Sequence, residues 1–280
     1  MALSRDQRHL VALDLDGTVV HHDGTIDPEV ATAIRSLHDA GHQVVVATGR
    51  SVDATLPVVE QLRIRPDWVV CCNGAVTLRR DPLADRAYRR EYIEAFDATE
   101  VLKRLGSHLL TATFGLETPE GDFLYTKEIP AGTLPVRQRQ VRFEEMFGVQ
   151  ATRVLVVSPD QALEEFLAVV DSLGLTRVSY GIGYLSWLDI APEGVSKESA
   201  LEVVRAQLGI DRSRVLAAGD GNNDIEMLRW AGRYGEAVVM GQAAEEVRIA
   251  GTRITGTIEE AGLFDALRDR FPDIVVAGVG

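Results

Sequence analysis

Short apolar runs alternate with segments of helical periodicity over residues 1–80 and again after residue 185. The runs HLVALDLDG, QVVVAT and DWVVCC stay apolar until their last residues, which is typical of strands buried in a parallel sheet. Between the first two runs, Val30, Ile34 and Leu37 repeat at helical spacing, and Gly41 follows as a stop signal. This alternation predicts right-handed β-α-β units and hence an α/β protein with a Rossmann-like, doubly wound parallel sheet as its core.

Residues 81–185 follow a different pattern. Several segments alternate apolar with polar residues, as half-exposed antiparallel strands do: REYIE, TATFGLE, DFLYTKE, TRVSYGI and YLSWLDI. Helical patterns cover Asp97 to Leu109 and Asp160 to Leu173. We therefore predict an inserted α+β domain with its own sheet over residues 81–185, which divides the core domain into residues 1–80 and 186–280.

The β-α rhythm returns after the insertion. Four helices are predicted there, namely Ser196 to Leu208, NNDIEMLRWA, AAEEVRIA and Ile258 to Arg270. The final segment, IVVAGVG, is unusually apolar for a terminus. It is interpreted either as an edge strand or as a subunit contact, and the oligomeric state stays open.

Charge and cysteine content exclude several classes of partner. The 42 acidic residues outnumber the 29 basic ones, so the formal net charge is −13, and such a surface repels nucleic acid and anionic membranes. No apolar run approaches the roughly 20 residues of a membrane span, and the first residues lack a signal-peptide core. Cys71 and Cys72 are adjacent and lie in an apolar run, so they are predicted to be unpaired and buried. A cytoplasmic protein is expected.

Two acidic residues end the first predicted strand. Asp14 and Asp16 are two positions apart and therefore point the same way, where their charges repel unless a cation or a proton intervenes. Asp220, at the end of the strand RVLAAG, could supply a third oxygen ligand. Oxygen donors without histidine or cysteine favour Mg²⁺ over Zn²⁺. The alternative is that these aspartates only cap helices or form turns.

Other polar residues follow the neighbouring strands, where ligands bind in open α/β sheets. Thr48 can hydrogen-bond an anion together with backbone N–H groups, and Lys197 can add positive charge, although a helix-start lysine is often merely solvated. Further residues are assigned to phosphate or substrate binding: Thr18, Gly49, Arg50, Asn73, Gly74 and Asn223. For Arg50 the alternative is that it only forms a structural pair. Together these groups indicate a phosphoryl-transfer site, with one carboxylate to attack phosphorus and another to handle protons.

Five short motifs stand in order along the chain: DLDGT at 14–18, ATGR at 47–50, CNGA at 72–75, GVSK at 194–197 and GDGNND at 219–224. In these motifs, and in the size and place of its insertion, the chain resembles the haloacid dehalogenase superfamily of phosphohydrolases, in its Cof-like, type IIB branch. The inserted domain then corresponds to the cap of that branch, which is expected to close over the site and exclude water.

The resemblance implies a role for each motif residue. Asp14 is implied to be the nucleophile that forms an aspartyl-phosphate, and Asp16 the group that protonates the leaving oxygen and then activates water. Mg²⁺ is implied to be held by Asp14, by the backbone carbonyl of Asp16 and by Asp220, with support from Asp224.

Three further residues have implied roles around the phosphoryl group. Thr48 bonds that group, Lys197 neutralises both the nucleophile and the phosphate, and Asn223 orients one of these groups. One position departs from the family pattern, because Glu198 follows the lysine where relatives often have glycine. It is expected to point away from Lys197 as an acid in the first turn of a helix.

The leading hypothesis is a Mg²⁺-dependent phosphatase acting on small phosphorylated metabolites, especially sugar phosphates. Two alternatives are kept, a phosphomutase of the phosphomannomutase type and a non-catalytic metabolite-binding module. Phosphomannomutases resemble this fold and cap, but no sequence feature here demands a mutase.

Overall fold

The structure is a computed structural model that describes residues 4–127, 137–158, 180–182 and 187–276. Numbered in chain order, the strands of this part are β1 Leu10–Leu13, β2 Gln43–Ala47, β3 Trp68–Cys71, β4 Val76–Arg80, β5 Tyr88–Ile93, β6 Phe96–Asp97, β7 Thr113–Glu117, β8 Phe123–Tyr125, β9 Gln138–Gln140, β10 Gln150–Ala151, β11 Arg153–Val157, β12 Tyr180–Ile182, β13 Trp187–Ile190, β14 Val215–Gly219, β15 Glu236–Val239 and β16 Arg253–Ile254. Its α-helices are α1 Pro28–Ala40, α2 Val52–Gln61, α3 Thr99–His108, α4 Lys197–Leu208, α5 Ile225–Gly232, α6 Glu245–Arg248 and α7 Gly262–Arg270.

One large sheet has the strand order β16-β15-β14-β1-β2-β3-β4-β5. Adjacent strands in this sheet are parallel from β16 to β3. At the other end, β4 pairs antiparallel with β3, and β5 pairs antiparallel with β4. The chain builds outward from β1 through β2 and β3, and later returns to add β14 on the other side of β1. This confirms the predicted α/β fold with a doubly wound, mostly parallel sheet.

Side chains alternate between the two faces of this sheet, and each face is covered by helices. Val11 and Leu13 of β1 join a core cluster that includes residues of α1 and α7, whereas Leu10 and Ala12 join a cluster with residues of α4 and α5. All four of these side chains are fully buried. The strands are therefore apolar on both faces, which is why they read as continuous apolar runs in the sequence.

Helix α1 begins and ends at the residues its sequence indicates. The Asp27 carboxylate accepts hydrogen bonds from the backbone N–H groups of Glu29 and Val30, and Pro28 occupies the first turn. Gly41 ends the helix in a left-handed conformation with φ of 98°. These end signals fix how α1 leads into β2.

A second sheet is formed by strands of the inserted segment, in the order β12-β13-β11-β7-β8-β9. It is antiparallel except for the β8–β9 pair, and α3 packs on it through Leu102 and Leu105. The predicted division at residues 80 and 186 remains a proposal. Because β5, which contains the first four residues of REYIE, pairs with β4 in the large sheet, we propose that the insertion starts after Ile93.

Two predicted helix starts differ from the structure. The helix expected from Ile258 begins only at Gly262, because Ala261 has a left-handed φ of 53° and residues 258–261 form turns. The segment Asn222–Asp224 is a 3₁₀ turn that precedes α5. The predicted helix at 160–173 lies outside the described residues, as does most of the apolar tail. Of that tail, Val275 is buried against the core.

Candidate active site

Asp14 and Asp220 lie side by side where the winding of the large sheet changes direction. β1 and β14 are paired in register, and the backbone N–H of Asp14 continues that pairing by donating to the carbonyl of Ala218 at 3.0 Å. Gly17 turns the chain between the two strand ends with φ of 81°, and a Cβ there would lie 2.2 Å from a carboxylate oxygen of Asp220. Only glycine fits this turn without displacing Asp220.

Lys197 joins two of the acidic residues. Its Nζ lies 2.6 Å from Oδ1 of Asp14 and 2.7 Å from Oδ1 of Asp224, and its side chain is completely buried. Ser196 caps α4 by accepting from the Ser199 backbone N–H, which sets Lys197 as the first residue of the helix. The two carboxylates raise the pKa of Lys197 against the effect of burial, so the ammonium stays charged.

Asp224 also shapes the loop that carries Asp220. Its Oδ2 accepts hydrogen bonds from the backbone N–H groups of Asp220 and Gly221, at 3.0 and 2.9 Å. Gln242 donates to the other side of the site, to the Gly17 carbonyl at 2.6 Å and to Asp220 at 3.2 Å. Asp220 and Asp224 are therefore both held in place by partners from separate segments of the chain.

The carboxylates of Asp14, Asp220 and Asp224 can hold a cation between them. Each offers an oxygen, and these oxygens all lie within 4.8 Å of one another. Burial and the charge of Asp224 raise the pKa of Asp14 well above its usual range, although Lys197 opposes this, and the same two causes raise the pKa of Asp220 to about 6. A hard divalent cation such as Mg²⁺ would relieve this repulsion, so the residues fit the predicted metal.

Asp16 is turned away from this cluster. Its carboxylate accepts two hydrogen bonds from Arg50, from Nε at 2.8 Å and from Nη2 at 2.5 Å. The Asp16 side chain is 56% exposed, whereas that of Arg50 is 17% exposed. The carboxylate is thus accessible from the cavity and is held by a guanidinium in two-pronged geometry.

Thr48 and Asn73 are buried beside Arg50. The Thr48 side-chain oxygen accepts from the backbone N–H of Arg50 at 3.1 Å, and the Thr48 carbonyl accepts from the Asn73 N–H at 3.0 Å. Asn73 adopts a left-handed φ of 52°, accepts from the Asn223 amide at 2.9 Å and donates to Asp189 at 3.4 Å. This network links the ends of β2 and β3 to the residues that follow β14.

Gly74 allows β3 and α4 to approach each other closely. Its φ is 101°, and a Cβ there would lie 2.2 Å from the carbonyl oxygen of Ser196. Gly49 lies beside Asn73, whose side-chain oxygen would be 3.1 Å from an added Cβ. In this structure Gly74 and Gly49 contribute by leaving room for neighbouring groups to lie close to the backbone. The neighbouring Cys71 and Cys72 are unpaired and buried, as predicted.

A cavity of about 190 Å³ opens above these groups. It is lined by Asp14, Asp16, Gly49, Arg50, Asp220, Gly221 and Asn223, together with Arg153 and Asp189 from the second sheet. The other predicted site residues, Thr18, Thr48, Asn73, Gly74, Lys197 and Asp224, are buried around it and do not line it. Thr18 donates to Asp220 at 3.4 Å, so its contact is with a candidate metal ligand.

Arg153 and Asp189 were not found from the sequence. Arg153 donates from Nε to Glu117 at 2.9 Å and from Nη1 to the Gly49 carbonyl at 2.9 Å, so it connects the inserted segment to the core. Asp189 lies 3.6 Å from the same guanidinium, and its Oδ1 has no hydrogen-bond partner among the described residues. The only signal was a charged residue on an otherwise apolar strand, and that signal does not identify a site.

Glu198 does not disturb the site. It lies in the first turn of α4, and the charged groups that act on it are Glu226, Glu202 and Arg212, none of which lines the cavity. Its orientation away from Lys197 agrees with the expectation from helical geometry.

Curated relatives match almost the whole chain. A phosphatase of Bacillus subtilis named 5-amino-6-(5-phospho-D-ribitylamino)uracil phosphatase is 26% identical over 269 residues, which cover 94% of this chain and 97% of that protein. A phosphoglycolate phosphatase of Natronomonas pharaonis is 29% identical over 263 residues, with 94% and 97% covered.

Solved structures show the same fold. The structure of the subclass IIB sugar phosphatase BT4131 superimposes with a TM-score of 0.77 at 21% sequence identity, covering 96% of this chain and all of that chain. The family described as haloacid dehalogenase-like hydrolase matches residues 11–267. The chain therefore belongs to the haloacid dehalogenase-like hydrolases and is a phosphatase of that family.

Proposed function

We propose that the protein is a Mg²⁺-dependent phosphatase that hydrolyses small phosphomonoesters through an aspartyl-phosphate on Asp14. The observation that carries this proposal is the buried Asp14 carboxylate. It lines the cavity, pairs with Lys197 at 2.6 Å and lies in a cluster of acidic oxygens suited to a divalent cation. A carboxylate kept ionised beside positive charge can attack phosphorus.

Asp14, Asp220 and Asp224 would hold the Mg²⁺, and the ion would supply positive charge that offsets the charge of the phosphoryl oxygens. Lys197 stabilises the ionised form of Asp14 and keeps its carboxylate in one position. The buried ammonium also adds positive charge near the reacting phosphoryl group, where low dielectric strengthens its effect.

The first chemical step joins an Asp14 oxygen to phosphorus as the bond to the leaving oxygen breaks. Asp16 lines the cavity apart from the Lys197 cluster, where Arg50 holds its carboxyl group, and we assign it the role of donating a proton to that oxygen. In the second step Asp16 takes a proton from water as the water oxygen attacks phosphorus. Inorganic phosphate leaves and the Asp14 carboxylate is restored.

The substrate class is proposed from Asp189. This carboxylate is 8% exposed and lines the cavity, and one of its oxygens accepts no hydrogen bond from the part of the chain that the structure describes. A buried acceptor of this kind is costly unless a ligand supplies the donor. Hydroxyl groups of a sugar phosphate or polyol phosphate meet that need, and the small cavity favours a small leaving group.

Cytoplasmic location is also part of the proposal. It is supported by the two adjacent cysteines, which are unpaired and buried, as suits a reducing compartment. No described helix is long and apolar enough to cross a membrane.

Phosphate release from p-nitrophenyl phosphate tests the function. The wild-type protein should turn over in Mg²⁺, Asp14→Asn should lose at least roughly 10³-fold in kcat, and Asp211→Asn should keep its activity. Asp211 is a matched control, because it is an exposed aspartate that only caps a 3₁₀ turn. Equal activity in Asp14→Asn would refute the mechanism, and interconversion of mannose 1-phosphate and mannose 6-phosphate without net phosphate release would favour the mutase.

A further inference from the structure

Four arginines surround a cavity at the edge of the large sheet opposite the catalytic cavity. The cavity measures about 410 Å³ and is lined by Arg8, Arg63, Arg65 and Arg80, with His38, His42 and Asp67 among its other residues. It lies where β2 begins and β1 is about to begin, whereas Asp14 and Thr48 follow the opposite ends of those strands. The two cavities share no lining residue.

The positive charge of this cavity exceeds the negative charge on its lining. In the described part of the chain, none of the side chains of Arg8, Arg63, Arg65 and Arg80 forms an ion pair, and the buried Nε of Arg8 has no hydrogen-bond partner. Asp67 is the single acidic residue on the lining. Such a concentration of unpaired guanidinium groups is unexpected in a chain with a net charge of −13.

His42 adds an unused hydrogen-bond donor to the same wall. Its side chain is 4% exposed, and its Nδ1 lies 3.1 Å from the backbone N–H of His9 and accepts from it. Burial lowers the pKa of His42 to about 4, so the ring is neutral and its proton must be on Nε2. Within the described ranges, that buried Nε2–H has no hydrogen-bond partner. A buried donor left unpaired is costly unless a ligand accepts from it.

A second cavity of about 650 Å³ adjoins the first. The two share Arg63, Arg65 and Arg80 on their walls. Beyond these arginines most of the wall of the second cavity is apolar, formed by Leu56, Val59, Ile64, Pro82, Ala87 and Tyr88, and the charged residues Glu60 and Arg86 complete it. The shared arginines therefore stand between a polar compartment and an apolar one.

We propose that these two cavities form a binding site for a small organic anion, with its phosphate groups in the first cavity and its apolar body in the second. Guanidinium groups bind phosphate oxygens in two-pronged geometry, and several unpaired ones together suit a ligand with more than one negative charge. A nucleoside diphosphate has this combination of a diphosphate and a flat ring.

Binding can be measured by calorimetry in EDTA, which removes the metal from the catalytic site. The probes are inorganic pyrophosphate, which carries only the charge, and adenosine 5′-diphosphate, which adds the ring. The double variant Arg63→Gln/Arg65→Gln should bind both probes at least tenfold more weakly than wild type, and added salt should weaken binding further. The ring should make the nucleotide bind more tightly than pyrophosphate.

The double variant Arg104→Gln/Arg139→Gln is the matched control, since it removes the same two charges from exposed positions on α3 and β9 that line neither cavity. His42→Asn provides an independent variant, because it removes the Nε2 donor but keeps an acceptor for His9; it should also weaken pyrophosphate binding. The proposal is overturned if neither probe binds at 10 mM, or if the double variant binds as wild type does. Equal affinity for the two probes would refute the role of the second cavity.

Discussion

Arg50 binds the carboxylate of Asp16 through two hydrogen bonds, from Nε at 2.8 Å and from Nη2 at 2.5 Å. Both residues line the catalytic cavity, and they come from the loops that follow β1 and β2. The predicted alternatives for Arg50 were substrate binding and structural pairing. The geometry makes it a partner of the proposed proton donor, so a change at Arg50 should act through the position of Asp16.

Arg50→Ala should lower kcat by roughly 100-fold, because Asp16 then samples positions from which it cannot protonate the leaving oxygen. The loss should be smaller for p-nitrophenyl phosphate, whose leaving group scarcely needs a proton, than for an alkyl phosphate. Arg89→Ala is the control, since it breaks a surface ion pair with Glu91 outside the cavity. Equal losses on both substrates would contradict the assigned role.

Removal of Mg²⁺ should abolish activity and also weaken the binding of inorganic phosphate. The acidic cluster repels an anion unless a cation offsets its charge. Calorimetric titration of phosphate with and without EDTA measures this effect. Asp220→Asn should need more Mg²⁺ for half-maximal activity, because it removes one charged ligand. Phosphate affinity unchanged by EDTA would argue against the cation site.

Lys197→Met should destabilise the protein by roughly 3–5 kcal/mol in EDTA, since Asp14 and Asp224 then lose their buried counter-ion. The pKa of Asp14 is already raised by burial, and without the ammonium it rises further. Because a raised carboxylate pKa costs stability increasingly as pH rises, the deficit should be smaller at pH 5.5 than at pH 8. Urea unfolding at both pH values tests this, with the exposed Lys103→Met as control.

Acidification should weaken the native state through His42. Its pKa is about 4 in the folded chain, below the usual value of 6.5, so between these limits the unfolded chain binds a proton that the native one does not. Stability is therefore fully present above pH 6.5 and falls as the pH drops towards 4, by roughly 2 kcal/mol. The difference in unfolding free energy between wild type and His42→Asn should become smaller as the pH falls from 6.5 to 4. A constant difference would contradict the buried neutral histidine.

Asp189→Asn should lower kcat/KM by roughly tenfold or more for a polyol phosphate but less than about threefold for p-nitrophenyl phosphate, which has no hydroxyl groups to recognise. The fold should tolerate the change, because Glu117 still pairs with Arg153 at 2.9 Å. Asp122→Asn serves as control, since Asp122 is a half-exposed aspartate of the inserted segment that does not line the cavity. Parallel losses on both substrates would indicate a merely structural connection between the sheets.

Much of the core could be predicted from local signals. The apolar runs of β1 and β2 are buried on both faces, and α1 carries recognisable residues at both ends, so strand and helix periods were unambiguous. The motif residues collect at one edge because the carboxyl ends of parallel strands must meet there. The proximity of Asp14 and Asp220 could therefore be predicted from the sheet topology alone.

The remaining features depend on contacts that sequence periods do not encode. Ala261 adopts a left-handed conformation although it is not glycine. The local sequence therefore contains no signal that α7 begins as late as Gly262. Strand β5 has the alternation of an antiparallel strand, but periodicity does not tell which sheet a strand joins. Arg153 and Asp189 reach the cavity only through the way the second sheet meets the core.

The central position of β1 has a consequence for how the chain acquires its site. One edge of β1 pairs with β2, which follows at once, but the other pairs with β14, which is synthesised much later. Lys197, the partner of Asp14, lies 183 positions further along the chain. A nascent chain that has not reached β14 exposes an unpaired strand edge and carries Asp14, the proposed nucleophile, without its counter-ion. Metal and substrate therefore cannot assist early folding, and they stabilise only the finished enzyme.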